Sequence, residues 1–302
     1  MSGDSSPPSP SPGKLALAFW LFLMLALWSF NYIAGKIALR HLDPFTLVSF
    51  RFILAALLML PLYLAQPKRT PFRARDIWPL AYLGFFGVLL NQGLFTVGLN
   101  YTSSGHAAVV VALGPVVILF LAVALHLEHL TPGKLFGTAL CFAGVLLLEH
   151  DHGSFSNSPF LWGDIISIGG TIGYAAYVVL GKRVARTYDS IFMTTFTCVA
   201  AALYLSPLAI RQAIHLDWRA VGLAGWAALF YMAAGSSVAA YLILYWALRH
   251  TTATRIGVVS YFQPVFVIVL SAVLLAEQPT RNLLGGTALV LIGVFFAERA
   301  PA

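Results

Sequence analysis

Four amides stand inside long apolar runs of this 302-residue chain: Asn31, Asn91, Gln92 and Gln263. An amide in hydrocarbon is costly unless it finds a hydrogen bond, a cavity or a ligand. The chemistry they offer is polar recognition, because an amide donates and accepts without ionising. Trp28, Phe95, Tyr174, Tyr177, Tyr241, Tyr245 and Tyr261 fall deep in similar runs. Tyr and Trp ordinarily gather where a membrane meets water. Placed deep, they predict a wall for apolar or amphipathic solutes, or for cations held over ring faces. Interhelical hydrogen bonding and space filling are the alternatives for any one of these residues. The expected substrate-binding set is Trp28, Asn31, Asn91, Gln92, Tyr174, Tyr177, Tyr241, Tyr245 and Gln263, with Gln263 favoured.

Covalent and metal chemistry have less to stand on. The chain holds no G-x-S-x-G, no H-E-x-x-H and no P-loop lysine, so no catalytic residue and no cofactor are expected. His126, Glu128 and His129 form one cluster of metal-ligating types, and Glu149, His150, Asp151 and His152 form another. An apolar run separates them, which puts them on opposite faces of a membrane. Solvated loop ends are the expected reading, and no metal is expected. Cys141 and Cys198 lie within apolar runs and imply neither a disulfide framework nor a thiolate site. Arg51, about two turns into an apolar run, reads as a snorkelling or helix-tying residue. His106 and Arg255 begin two such runs and read as interfacial anchors or gate residues.

The elements that would position these residues are set by composition. The chain is 59% hydrophobic and 10% charged, with a mean hydropathy of +0.83. Soluble domains carry about 25% charged residues, so lipid must be the solvent for most of this exterior. Apolar runs bounded by charges, Pro and Gly give ten spans: 15–38, 45–65, 77–99, 103–127, 133–149, 160–181, 190–210, 219–247, 254–276 and 281–297. Each is long enough for about 30 Å of hydrocarbon, or close to it. The eighth is long and is expected to begin along the interface. Residues 1–13 are Ser/Pro-rich and read as a disordered tail without a cleavable signal. The net charge of +7 forms no continuous stripe, which argues against a nucleic-acid partner. With the N-terminus cytoplasmic, twelve Lys and Arg residues fall on that side: Lys14, Lys68, Arg69, Arg73, Arg75, Lys134, Lys182, Arg183, Arg186, Arg249, Arg255 and Arg299. Five fall opposite: Lys36, Arg40, Arg211, Arg219 and Arg281. Both termini are therefore expected inside the cell, at the inner (plasma) membrane.

The chain also repeats. Residues 101–149 laid on 250–298, an offset of 149, give 17 identical pairs in 49 without a gap, among them Pro115/Pro264, Glu128/Glu277, Gly137/Gly286 and Gly144/Gly293. An offset of 146 lays Gly35-Lys36 on Gly181-Lys182, Asp43 on Asp189 and Pro61-Leu62 on Pro207-Leu208. Shared membrane composition would match Leu and Val, not acids, prolines and glycines in register. The expected halves are 14–150 and 159–298, each with five spans. An odd number inverts the second half relative to the first, placing a substrate site near midplane between them. Pro115 and Pro264 each free one backbone carbonyl and are expected to serve as paired hinges. Gly137/Gly144 and Gly286/Gly293 allow close helix approach, either between spans 5 and 10 or across a homodimer.

These residues resemble the drug/metabolite transporter superfamily, in its EamA-type form with two tandem repeats. The resemblance is carried by Trp28-Ser29-Phe30-Asn31, Gly35-Lys36, Pro44-Phe45, Phe50-Arg51-Phe52 and the duplicated Pro115…Glu128 and Pro264…Glu277. It covers about residues 15 to 297. It implies an all-α bundle of ten transmembrane helices whose cavity is lined by spans 1, 3, 4, 6, 8 and 9. It implies transport of small metabolites, often outward, with a small-molecule substrate and the lipid bilayer as partners. A multidrug or cation efflux carrier is the near alternative; a channel or a membrane-embedded enzyme is the distant one.

Overall fold

The computed structural model describes residues 13–66, 73–124, 131–149, 160–184, 188–250 and 261–299. The N-terminal tail, Arg255, the His126–His129 cluster, residues 150–152 and the 150–158 loop lie outside the described residues. The described residues form helices and connections, with no strand among them. In chain order the helices are α1 (Lys14–Leu39), α2 (Pro44–Leu64), α3 (Ile77–Gly84), α4 (Asn91–Tyr101), α5 (Ser104–Val111), α6 (Gly114–Ala124), α7 (Pro132–Glu149), α8 (Leu161–Val184), α9 (Ser190–His215), α10 (Gly222–Tyr231), α11 (Ala240–His250), α12 (Gln263–Leu274) and α13 (Arg281–Arg299). A π-helical segment, Phe85–Leu90, joins α3 to α4, and a second, Met232–Ala239, joins α10 to α11.

Among the described residues, six helical stretches are long and apolar enough to cross a membrane: Leu15–Leu39, Pro44–Leu64, Ile77–Tyr101, Ser104–Leu121, Ser190–His215 and Gly222–Ala247. Shorter apolar helices occupy Pro132–Leu148, Gln263–Leu274 and Arg281–Ala297. Large apolar side chains such as Trp78, Ile214, Leu223 and Val273 face outward. Water would not tolerate so much exposed apolar surface, whereas lipid does.

Local chemistry explains the helix ends. Asp43 caps α2, accepting from the backbone N–H of Phe45 at 3.0 Å and of Thr46 at 3.1 Å, and Pro44 supplies a preset first-turn φ. Asp189 caps α9 the same way, through Phe192 N–H at 2.8 Å. Each of the two repeat-related prolines stands second in its helix: Gly114-Pro115 opens α6 and Gln263-Pro264 opens α12. Between α5 and α6 the helix breaks at Ala112 and Leu113, next to the carbonyl that Pro115 cannot engage. The kink is therefore a true helix break.

Glycines set which helices touch most closely. A Cβ at Gly137 would stand 2.4 Å from the Ala297 nitrogen and the Gly293 oxygen, and one at Gly144 would stand 2.7 Å from the Gly286 oxygen. All four glycines are thus used between α7 and α13 of the same chain. A second set binds α4 to α8: Gly98 lies against Ser167, Gly163 against Thr102 and Gly170 against Asn91. Elsewhere α2 and α9 share an apolar core containing Val48, Phe52, Ala55, Cys198 and Ala201.

Candidate functional site

The deep aromatics converge. Trp28 on α1 meets Tyr241 on α11 edge to face, with centroids 5.8 Å apart. Tyr241 and Tyr245 lie one turn apart on α11, with centroids 6.5 Å apart, as do Tyr174 and Tyr177 on α8. The Tyr177 and Tyr245 hydroxyls share a hydrogen bond between these two helices. Three helices distant in sequence therefore present one indole and four phenols to a common region. Gly114 adds to it, since its missing side chain leaves Tyr174 only 3.8 Å from where a Cβ would be. Aromatic faces carry negative quadrupoles and the phenols carry hydroxyls, so the region suits an amphipathic solute with a cationic or hydrogen-bonding end.

The amides fare differently. Asn91 donates to the Gly170 oxygen at 2.9 Å, and Gln92 donates to the Asn91 oxygen at 2.7 Å. Asn91 thereby ties α4 to α8, while Gln92 bonds to its neighbour within α4. Asn31 is buried on α1 with its side-chain oxygen unpartnered. Gln263 is half-buried at the start of α12. Its repeat counterpart Gly114 is the one set against Tyr174.

Two polar arrangements have partners that the sequence did not name. Arg51 is 1% exposed, so of its two readings it ties helices and does not snorkel. Its Nε donates to Ser237 Oγ at 2.8 Å and its Nη2 to Ser236 Oγ at 3.2 Å, while Nη1 is buried without a partner. It ties α2 to the π-helical segment of the eighth run and lies within electrostatic reach of Tyr241 and Tyr231. A run that looks regular in sequence gives no sign of the π-turn that presents two adjacent serines to one guanidinium.

The second arrangement corrects the anchor reading of His106. Its Nδ1 lies 2.9 Å from Asp164 Oδ2, both side chains are buried, and Thr102 donates to Asp164 Oδ1 at 2.5 Å. Burial of this acid and its pairing with residues of another half cannot be read from position along the chain. Nearby, Glu277 accepts from Ser104 N–H at 3.2 Å and from Ser104 Oγ at 3.1 Å. The described residues contain no group of three or more His, Cys, Asp or Glu side chains able to hold a metal ion.

Comparison with known proteins bears on what this arrangement serves. A model of the EamA-like transporter family matches residues 15–149 and 161–298. An uncharacterized transporter of Archaeoglobus fulgidus is 28% identical over 281 residues, covering 91% of this chain and 94% of the relative. A WAT1-related protein of Arabidopsis thaliana is 25% identical over 293 residues, covering 84% and 81%. A solved crystal structure superposes with a TM-score of 0.66 at 21% identity, over 94% of this chain and 97% of the other, which shows a shared fold.

Proposed function

The chain belongs to the EamA-like transporter family, and from that premise we propose that it is a secondary carrier of small metabolites working by alternating access. Its substrates are neutral, zwitterionic or weakly cationic, with amino acids the first choice, and it works as an exporter or exchanger. The observation that carries this reading is the convergence of Trp28, Tyr174, Tyr177, Tyr241 and Tyr245 from three helices. A phosphorylated solute would call for Arg or Lys at the same place. Arg51 is the cation nearest in kind, but it is closed off from solvent and held by two serines.

Ten crossings in two inverted halves fit this reading. The two π-helical segments begin at Phe85 and Met232, 147 residues apart (232 − 85), close to the offsets of 146 and 149 seen in sequence. The helix caps at Asp43 and Asp189 keep the same register, as do the helix starts at Gly114 and Gln263. Corresponding irregularities at corresponding places support a duplicated unit. Both termini are cytoplasmic in this scheme, with the protein in the inner (plasma) membrane.

Reconstitution into proteoliposomes and uptake of a panel of amino acids, organic cations, sugars and sugar phosphates, with and without a pH gradient, tests it. Saturable, counterflow-stimulated uptake of an amino acid is the expected result. Preference for hydrophobic cations would favour a multidrug carrier, which the aromatic walls also suit. Preference for sugar phosphates would overturn the assignment.

A further inference from the structure

At the end of the bundle where α1 and α12 finish, Glu277 stands in the wall of two adjoining clefts of about 280 Å³ each. One is lined by Ser103, His106, Phe160 and Ser271, the other by Lys36, Arg40 and Asn100. The carboxylate is turned to the first, on Ser104. That contact is not needed to start α5, because Ser103 Oγ already caps it by accepting from His106 N–H at 3.1 Å.

The contact joins two groups of helices. Through Thr102, His106 and Asp164, α5 is held to the glycine-packed pair α4 and α8. In contrast, α12 runs beside α1, where Phe22 and Phe266 meet at 5.7 Å. Where α5 faces α12 the packing is otherwise apolar, with Gly105 against Ile268, and Leu283 of α13 beside it. On the α1 side, Lys36 lies within electrostatic reach of Glu277. The residue before Glu277, Ala276, has φ 56°, in the left-handed region that glycine normally takes, and it closes α12 with the Glu277 N–H on the Ser271 oxygen at 3.2 Å. A side chain makes that conformation costly, and strain of this kind gathers at elements that switch.

We propose that Glu277 is a two-position latch on this mouth of the carrier. On Ser104 it holds α12 against α5 and keeps the mouth shut. On Lys36 it leaves α12 with α1 and frees the mouth to open. Ala276, returning to negative φ, lets the carboxylate swing between them. The polar groups around it are Ser103, Ser104, His106 and Ser271 on one side, and Lys36, Arg40 and Asn100 on the other. The latch rests on the alternating-access reading, but not on which solute is carried.

The test is a pair of spin labels at the exposed positions Tyr101 and Gln278, with Cys141 and Cys198 replaced by Ala, in the full chain in lipid nanodiscs. Distance distributions report the mouth directly. Glu277→Ala removes both positions; because the carboxylate rests on Ser104 here, the closed one loses more, and the longer-distance population should rise at least threefold. Lys36→Gln should lower it, because the open position loses its partner. Glu277→Gln keeps an oxygen for Ser104 but no charge for Lys36, so it should follow Lys36→Gln and not Glu277→Ala. Shifts of all three variants in the same direction, or of none, would overturn the latch. Correct shifts in a protein that fails every solute of the uptake panel would retire the substrate reading and leave the latch standing.

Discussion

Arg51 on α2 and Ser237 in the second π-helical segment are joined by a 2.8 Å hydrogen bond across 186 residues of sequence. The hydrogen-bond partners of this buried guanidinium are neutral hydroxyls. A buried charge stripped of its partners costs more than the same charge removed outright. Ser236→Ala with Ser237→Ala should therefore lower stability by about 2–4 kcal/mol, while adding Arg51→Met to that pair should recover part of the loss. Thermal unfolding in detergent, followed by intrinsic fluorescence, reads the difference. Equal destabilisation by the double and triple variants would show that the charge is not the costly element.

The α7–α13 contact gives a second expectation. A Cβ at Gly137 would meet backbone atoms at 2.4 Å, and backbone cannot rotate away as a side-chain tip can. Gly137→Ala must push the two helices apart, at about 1–3 kcal/mol. Gly13, which has nothing within 4 Å, is the control that should tolerate Ala without loss. Loss of monodisperse protein on size exclusion for Gly137→Ala alone is the expected outcome; parity of the two variants would count against tight packing there.

The paired prolines concern movement. Because α6 and α12 both begin one residue before a proline, Pro→Ala at 115 or 264 restores an N–H for the carbonyl four residues back and removes the ring that clashes with it. Stiffening biases one access state, so transport rate should fall more than substrate affinity. Scintillation binding beside proteoliposome uptake separates the two. Unchanged uptake by both variants would reduce the prolines to packing features.

What the sequence disclosed follows from what repeats and what is local. Asp43 and Asp189 announce helix starts because a cap needs only its next three residues. The break beside Pro115 follows from a missing N–H. The aromatics were legible as a group because depth along a span is read by counting residues. Partners across the bundle were not: Arg51 reads as either snorkelling or helix-tying until Ser236 and Ser237 are seen beside it and decide for the second. His106 reads as an anchor until Asp164 is seen 2.9 Å away. Asn91 and Gln92, attractive as free amides, are largely engaged by Gly170 and by each other. Long-range pairing of single polar groups leaves no period in a sequence.

The aromatic region yields the last prediction. Trp28 contributes ring area against Tyr241, while the Tyr177–Tyr245 hydroxyl bond joins α8 to α11 behind it. A solute bound here must lie against the indole and compete for or open the hydroxyl pair. Trp28→Ala should weaken binding by about 1–3 kcal/mol, the usual size for losing an aromatic contact. Tyr245→Phe keeps the ring and removes one hydroxyl, so it should change binding less but speed or slow exchange by loosening α8 from α11. Gln263→Ala tests the amide singled out by its asymmetry with Gly114; a loss of about 1–3 kcal/mol would place the solute between α12 and the tyrosines. Scintillation proximity binding with the best substrate of the uptake panel measures all three. If Trp28→Ala and Gln263→Ala both bind like the parent, the aromatic convergence is core packing and the solute is held elsewhere.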